Sequence, residues 1–143
     1  MSNNISLNSQ DGNNQECKML PSSDVNGPTV RIVCKANDGL SVTVRNGKVC
    51  LAHTDPNDKF QFWIQDSGHG NSNVTDNDGY PAFALVNKST GEAIKHSNGK
   101  GQQLKVEPYY PELNDISFLW TSDIDHGRGF KAIRKVNDTT LNF

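Results

Sequence analysis

From residue 28 onward the chain alternates apolar and polar residues in short runs, each closed by a polar turn. The run TVRIVCK carries its apolar residues at Val30, Ile32 and Cys34, a strand periodicity. Asn37-Asp38-Gly39 marks a tight turn, and Leu40 to Val44 alternates again. Asn46-Gly47 is a hairpin signal, because both residues tolerate the positive φ such turns demand. Lys48 to Ala52 and, after a polar loop, Phe60 to Ile64 complete four short runs. Residues 66–80 are too rich in Gly and Asn for a helix and read as a long loop.

The pattern then returns. Ala82 to Val86, Glu92 to Lys95, Gln103 to Val106 and Ser117 to Trp120 form a second set, with turns at Asn87–Gly91 and Ser97–Gly101. A partial third set follows, from Gly129 to Ile133 and from Thr140 to Phe143, around a turn at Asn137-Asp138. Laid over one another, VRIVCKANDG, FALVNKSTG and FKAIRKVNDT begin at residues 30, 83 and 130, spacings of 53 and 47. The first two blocks close on QFW (Gln61 to Trp63) and FLW (Phe118 to Trp120). A unit of four short strands cannot bury its own face, so three such units must share a core. The predicted class is all-β, a β-trefoil with an incomplete third lobe: ten of twelve strands by this count. Trp63 and Trp120 are the expected structural core where repeats meet. The missing strands imply either that the chain is a fragment or a C-terminally truncated product, or that a partner or a second copy in a homo-oligomer completes the third lobe.

Residues 1–27 are rich in Asn, Ser and Gln and show no periodicity; they are expected to be a disordered polar tail ahead of a domain at 28–143. Seventeen Asn and twelve Gly in 143 residues reinforce the turn-rich reading. A net charge of −2 without a basic cluster argues against a nucleic-acid partner. No stretch approaches the ~18 apolar residues of a membrane span, so no membrane insertion is expected. The opening MSNNISLNSQDGNNQE lacks a positive flank and an apolar core, which predicts a cytosolic or nuclear protein. The four Asn-x-Ser/Thr sequons, at Asn4, Asn73, Asn87 and Asn137, then count as chance matches.

Cys17, Cys34 and Cys50 form no C-x-x-C pair and no disulfide framework, and Cys34 and Cys50, in apolar-alternating runs, read as buried thiols. His53, His69, His96 and His126 share no ligand spacing, so neither a metal nor any other cofactor is expected. Cys50 and His53 lie three residues apart on a strand and project to opposite faces, which excludes a nucleophile–base pair. Asp55, Asp58 and Asp66 flank loops and are expected on a solvated face, so no enzyme is predicted.

Three long stretches, PTVRIVCKANDGLSVTVRNGKVCLAHTDPNDKFQFW, PAFALVNKSTGEAIKHS and LWTSDIDHGRGFKAIRKVNDTTLNF, together resemble the Euonymus lectin domain of plants. That family belongs with the ricin-B-like β-trefoil lectins. The resemblance implies a non-enzymatic carbohydrate-binding protein of cytoplasm and nucleus, tied to stress responses and binding mannose- or galactose-containing glycans and glycoproteins. A ricin-type sugar site needs an Asp on a lobe's second strand, an aromatic on its third, and Asn-Gln before the closing Trp. In the first lobe these positions fall at Thr43, at Ala52 or His53, and at Gln61. In the second they fall near Lys95, Val106 and Ser117-Phe118, where none fits. The third-lobe Asp would follow Phe143. Tyr109 and Tyr110, in a Pro-bounded loop, are further candidates because a tyrosine face can stack on a pyranose. The alternatives are a trefoil protein-interaction module without its main glycan site, and a protease-inhibitor trefoil, disfavoured because such proteins are usually secreted.

Overall fold

The structure, a computed structural model, describes residues 3–4, 8–9, 17–22, 29–34, 39–96, 103–122 and 131–142. These form strands β1 (Asn3–Asn4), β2 (Asn8–Ser9), β3 (Cys17–Ser22), β4 (Thr29–Cys34), β5 (Leu40–Arg45), β6 (Lys48–His53), β7 (Trp63–Asp66), β8 (Ala84–Asn87), β9 (Glu92–Lys95), β10 (Lys105–Pro108), β11 (Trp120–Ser122), β12 (Ile133–Lys135) and β13 (Asp138–Asn142). Among the described residues the only helical pieces are single 3-10 turns, so the class is all-β. The seven strands β4-β5-β6-β10-β9-β8-β7 are hydrogen-bonded in a closed ring, since β7 pairs back onto β4.

Local sequence explains several joints. Arg45 pairs with Lys48, which leaves Asn46 (φ 54°) and Gly47 (φ 75°) as a two-residue loop. Both central residues are left-handed, the hairpin turn whose twist matches its strands. At the next turn the Asn87 side-chain oxygen accepts from the Ser89 and Thr90 N–H groups, and Gly91 closes it at φ 73°. The expected turns at 37–39 and 97–101 lie wholly or mostly outside the described residues.

Two predicted strands are corrected. Phe60–Ile64 and Ser117–Trp120 do not begin as strands: Lys59–Gln61 and Ile116–Phe118 are 3-10 turns, and extended structure starts at the tryptophans. Asp58 and Asp115 decide this. Each side chain accepts from the backbone N–H two residues on, Phe60 at 3.0 Å and Ser117 at 3.0 Å, and so caps its turn.

The larger correction concerns the N-terminal stretch. Within the expected tail, Cys17–Ser22 is a strand that pairs with β4 along its whole length, from Cys17↔Cys34 to Ser22↔Thr29. Asn8–Ser9 pairs with β13. The stretch expected as the third lobe is met by residues from the other end of the chain at two places, Asn8–Ser9 on β13 and Cys17 at Lys131. The physical reason is that β4 and β13 offer backbone donors and acceptors, which a six-residue ladder takes up on β4 and a two-residue one on β13. Cys17 and Met19 also bring apolar side chains to the core. Asn3–Asn4 pairs with β6, Asn3 opposite Leu51 and Asn4 opposite Cys50, and the rest of residues 1–27 lies outside the described residues.

The core shows a threefold logic. Trp63 pairs with Val30, Trp120 with Phe83, and Cys17 with Lys131. Phe83 and Trp120 exchange two backbone hydrogen bonds of 2.9 Å; Cys17 and Lys131 exchange two of 2.7 and 2.8 Å. By sequence the repeats begin at residues 30, 83 and 130; the third bridge falls one residue later, at Lys131, and there Cys17 stands where tryptophan does in the first two. Both tryptophans are fully buried, and their indole N–H groups donate to Val42 O (2.9 Å) and Ile94 O (3.0 Å). Around them pack Ile32, Val42, Val49, Leu85, Ile94, Leu104 and Ile133.

Candidate glycan-binding groove

Of the positions that the resemblance singles out in the first lobe, Thr43, Ala52 and Gln61 are buried in the fold and His53 is exposed. Thr43 is fully buried and its hydroxyl donates to Ser41 O at 2.8 Å, so it presents nothing to a ligand. The cause is visible in β5, where Ser41 to Val44 are all buried. Strand alternation assumes one wet face, and here there is none. Gln61 is fully buried as well: its amide N–H donates to His53 O (2.8 Å) and its oxygen accepts from Asp55 N–H (3.0 Å). It clamps the His53–Gln61 loop rather than facing a sugar. His53 ends β6 with an exposed side chain, and Ala52 is buried.

In the second lobe, Val106 is buried and Lys95 lies 3.6 Å from Glu107. Tyr109 is half-buried against Phe118, edge-on at 5.6 Å. Its hydroxyl donates to Asp66 Oδ2 at 3.0 Å and accepts from Asn71 at 2.9 Å. Burial, with Asp66 alongside, pushes this phenol above its usual pKa. Its hydroxyl is thus engaged within the fold, and one contact of its ring is with Phe118. Tyr110 differs: it is 56 % exposed.

Asp58 and Asp66, expected on a solvated face, are both engaged. Asp66 holds Tyr109 and lies 3.0 Å from His69. Asp58 pairs with Arg45 while capping its turn. The long loop has a second anchor further in. Asp76 is buried and accepts from Thr121 Oγ1 (2.6 Å) and Arg134 Nη2 (2.6 Å). Burial opposes its charge, but those bonds and the N–H groups of Tyr80 and Asp78 outweigh the penalty and hold its pKa below the usual value.

The groove that sequence reasoning missed runs beside the Asn46-Gly47 turn. It has a volume of ≈490 Å³ and is lined by Arg45, Asn46, Asp58, Phe60, Thr90 and Glu92, among others. Two elements of the first repeat and the first turn of the second meet there. Arg45 lies 6.0 Å from the Phe60 ring centroid and Lys59 lies 5.3 Å from it. One aromatic ring, two carboxylates and a guanidinium thus border one concave surface. A ring can meet the apolar face of a pyranose, carboxylates accept from its hydroxyls, and Arg donates to them. Arg45 and Phe60 were legible only as flanks of a turn and of a Trp motif. Glu92 comes from a different repeat and gave no local signal.

No family model matches the chain. Curated relatives do. The chain is 53% identical over 145 residues to the ricin B-like lectin R40C1 of Oryza sativa subsp. japonica, covering 92% of this chain and 41% of the relative. The chain is similar to ricin B-like lectins. It is also 51% identical over 116 residues to R40G3 of the same plant (81% of this chain, 56% of the relative). With the ricin B-like lectin EULS3 of Arabidopsis thaliana it shares 46% identity over 114 residues (80% of this chain, 36% of the relative). The chain therefore spans about a third to just over half the length of these relatives. The R40C1 match covers a larger share of the chain than residues 28–143 make up, so it reaches into the N-terminal stretch. Among the described residues no helix is long and apolar enough to cross a membrane.

Proposed function

We propose that this chain is a β-trefoil lectin unit of the ricin-B-like, Euonymus type, which binds glycans without chemistry at the groove of Arg45, Asp58, Phe60 and Glu92. The similarity to named lectins supports the class, and the groove supports the location. The single observation that carries the location is the convergence of an aromatic ring with Asp58, Glu92 and Arg45 on one ≈490 Å³ concavity. Binding at so open a site is weak per unit, and affinity comes from several units acting together. Mannose- and galactose-type glycans are the first ligands to try. A role in the cytoplasm and nucleus during stress accompanies this reading and is tested by imaging a fluorescent fusion in plant cells.

The decisive experiment is a glycan array followed by titration of the best ligand into the 143-residue chain. Phe60→Ala and Glu92→Gln are each expected to weaken binding roughly tenfold while the fold stays intact, the loss of about one charged or stacking contact. Unchanged affinity in both variants sinks the location. No array signal at all sinks the lectin reading for this unit. The second reading, a protein-interaction module, draws on Tyr110, Leu113 and Ile116, three large side chains 47–68 % exposed within one short loop. It predicts binding to a protein that free sugar does not compete, and that Leu113→Ser abolishes.

A further inference from the structure

Four cations stand in one row across the barrel. Arg45 faces Lys48 in the β5–β6 register, Lys48 faces Lys105 in β6–β10, and Lys105 faces Lys95 in β10–β9. Their neighbours Val44, Val49, Leu104, Val106 and Ile94 belong to the core, so strand alternation turns all four cations to the outer face. The two ends of the row are neutralised: Arg45 pairs with Asp58, and Lys95 lies 3.6 Å from Glu107 and 4.0 Å from Asp115. The two in the middle are not. Lys48 and Lys105 are exposed, and among the described residues neither has an ion-pair partner.

The ladder makes this middle pair a close one. The Val106 N–H donates to Gly47 O at 3.1 Å, and the Val49 N–H donates to Leu104 O at 3.0 Å. Those bonds flank Lys48 and Lys105, which are therefore a non-hydrogen-bonded pair, with Cα atoms about 4.5 Å apart and side chains on one face. Like charges directly opposite one another destabilise a sheet, and an anion between them removes that cost. The borders of the row select the kind of anion. It is one residue wide and flanked by Asp58, Glu107 and Asp115, so a flat anionic surface or a nucleic-acid backbone would meet carboxylates as well as amines. It also runs into the proposed groove, because Arg45 and the Asn46-Gly47 turn leading to Lys48 line that concavity. A thin acidic chain entering from the groove satisfies both conditions.

We propose that Lys48 and Lys105 form a subsite for the anionic group of an acidic oligosaccharide, a uronic-acid carboxylate being the simplest case. The class of ligand rests on the glycan reading above; the charge is what the two lysines add. Each ammonium donates to a carboxylate oxygen, and the carboxylate screens one amine from the other. A neutral ring stays with Phe60 and Glu92 in the groove, and a charged ring takes the lysines. No local window of the sequence holds both lysines, which is why the chain shows no basic run.

The test titrates the 143-residue chain, in dilute salt, with a galacturonate hexasaccharide and with its fully methyl-esterified form. The two share a backbone and differ in charge. The acid is expected to bind about tenfold tighter, the sum of two exposed charge contacts. That gap should close by about 1 M salt, where screening leaves only short-range interactions. Combining Lys48→Gln with Lys105→Gln should bring the acid down to the affinity of the ester, whereas Lys131→Gln, outside the row, should keep the gap. Lys105→Gln alone should melt no lower than the parent chain, since it removes a repulsion. Equal binding of acid and ester, a gap that survives the double substitution, or a lower midpoint for Lys105→Gln overturns the proposal. So does binding of single-stranded DNA or of anionic-phospholipid vesicles by the lysine pair in place of the acid. Binding of neither sugar overturns the subsite and leaves the array result to decide the groove. Phe60→Ala should weaken acid and ester alike; if it weakens neither while the gap stands, the groove is misplaced and the lysine subsite survives.

Discussion

The closing positions of the first two repeats and that of the third do the same topological job with different chemistry. Trp63 and Trp120 each fill the core with an indole and donate its N–H to a strand carbonyl, Val42 O and Ile94 O. Cys17 makes the equivalent backbone pair with Lys131 but brings only a thiol. The first two repeats are locked by side-chain volume, and the third by backbone pairing with a strand from the far end of the chain. The ladder geometry is thus kept where the packing residue is not, because reciprocal N–H···O=C bonds do not depend on side-chain identity.

The largest expected effect breaks the third closure altogether. A chain beginning at residue 23 should lose its cooperative thermal transition, since β4 would expose an unpaired edge and the core would lose Cys17 and Met19. A melt as sharp as that of the full chain would show that the N-terminal strand is dispensable. Next in size, Trp120→Ala should cost about 3–5 kcal/mol in urea denaturation, a large share of a typical domain's stability. Cys17→Ala at the matching position should cost only about 1 kcal/mol. Equal costs would refute the asymmetry.

Similar in size to the tryptophan, Arg134→Met should cost about 3 kcal/mol, because it leaves the buried Asp76 without its cation while Thr121 and two backbone N–H groups still hold it. This tests whether the long loop, like the tryptophan closures, depends on a buried group. A smaller, pH-dependent effect belongs to the second repeat. His96 sits edge-on to Trp120 at 4.7 Å with Nε2 against Leu119 O, and burial lowers its pKa to about 4. The unfolded chain then binds a proton that the folded chain refuses between roughly pH 6.5 and pH 4. The sign is that stability is full above about 6.5 and falls as pH drops toward 4, by about 1–3 kcal/mol. Denaturation midpoints across that range should lose much of this slope in His96→Gln. The smallest effect, about 1 kcal/mol, is expected of Tyr109→Phe, which removes the hydroxyl joining Asp66 and Asn71.

Much of the fold was legible because strands and tight turns are local. Asn46-Gly47 could be read as a hairpin since only a few residue types accept its dihedrals, and Val30, Ile32, Val42 and Val44 showed their period directly. The candidate site was barely legible. Thr43 and Gln61 were read by analogy of position, yet their polar atoms are spent on Ser41, His53 and Asp55. Arg45, Phe60 and Glu92 come together only because β5, the Asp58-capped turn and the β8–β9 turn meet in space.

The sequence by itself determined the all-β class, the repeat and the two buried tryptophans, because alternation, turn chemistry and aromatic volume act over a few residues. Tertiary structure alone decided that Cys17–Ser22, a polar-looking stretch with Pro21 in it, would be a strand. Its partners are Thr29–Cys34 on one side and Lys131 on the other, and no local window contains both. A strand's period says that it has two faces; which face is dry, and which distant edge needs covering, is set only when the barrel closes.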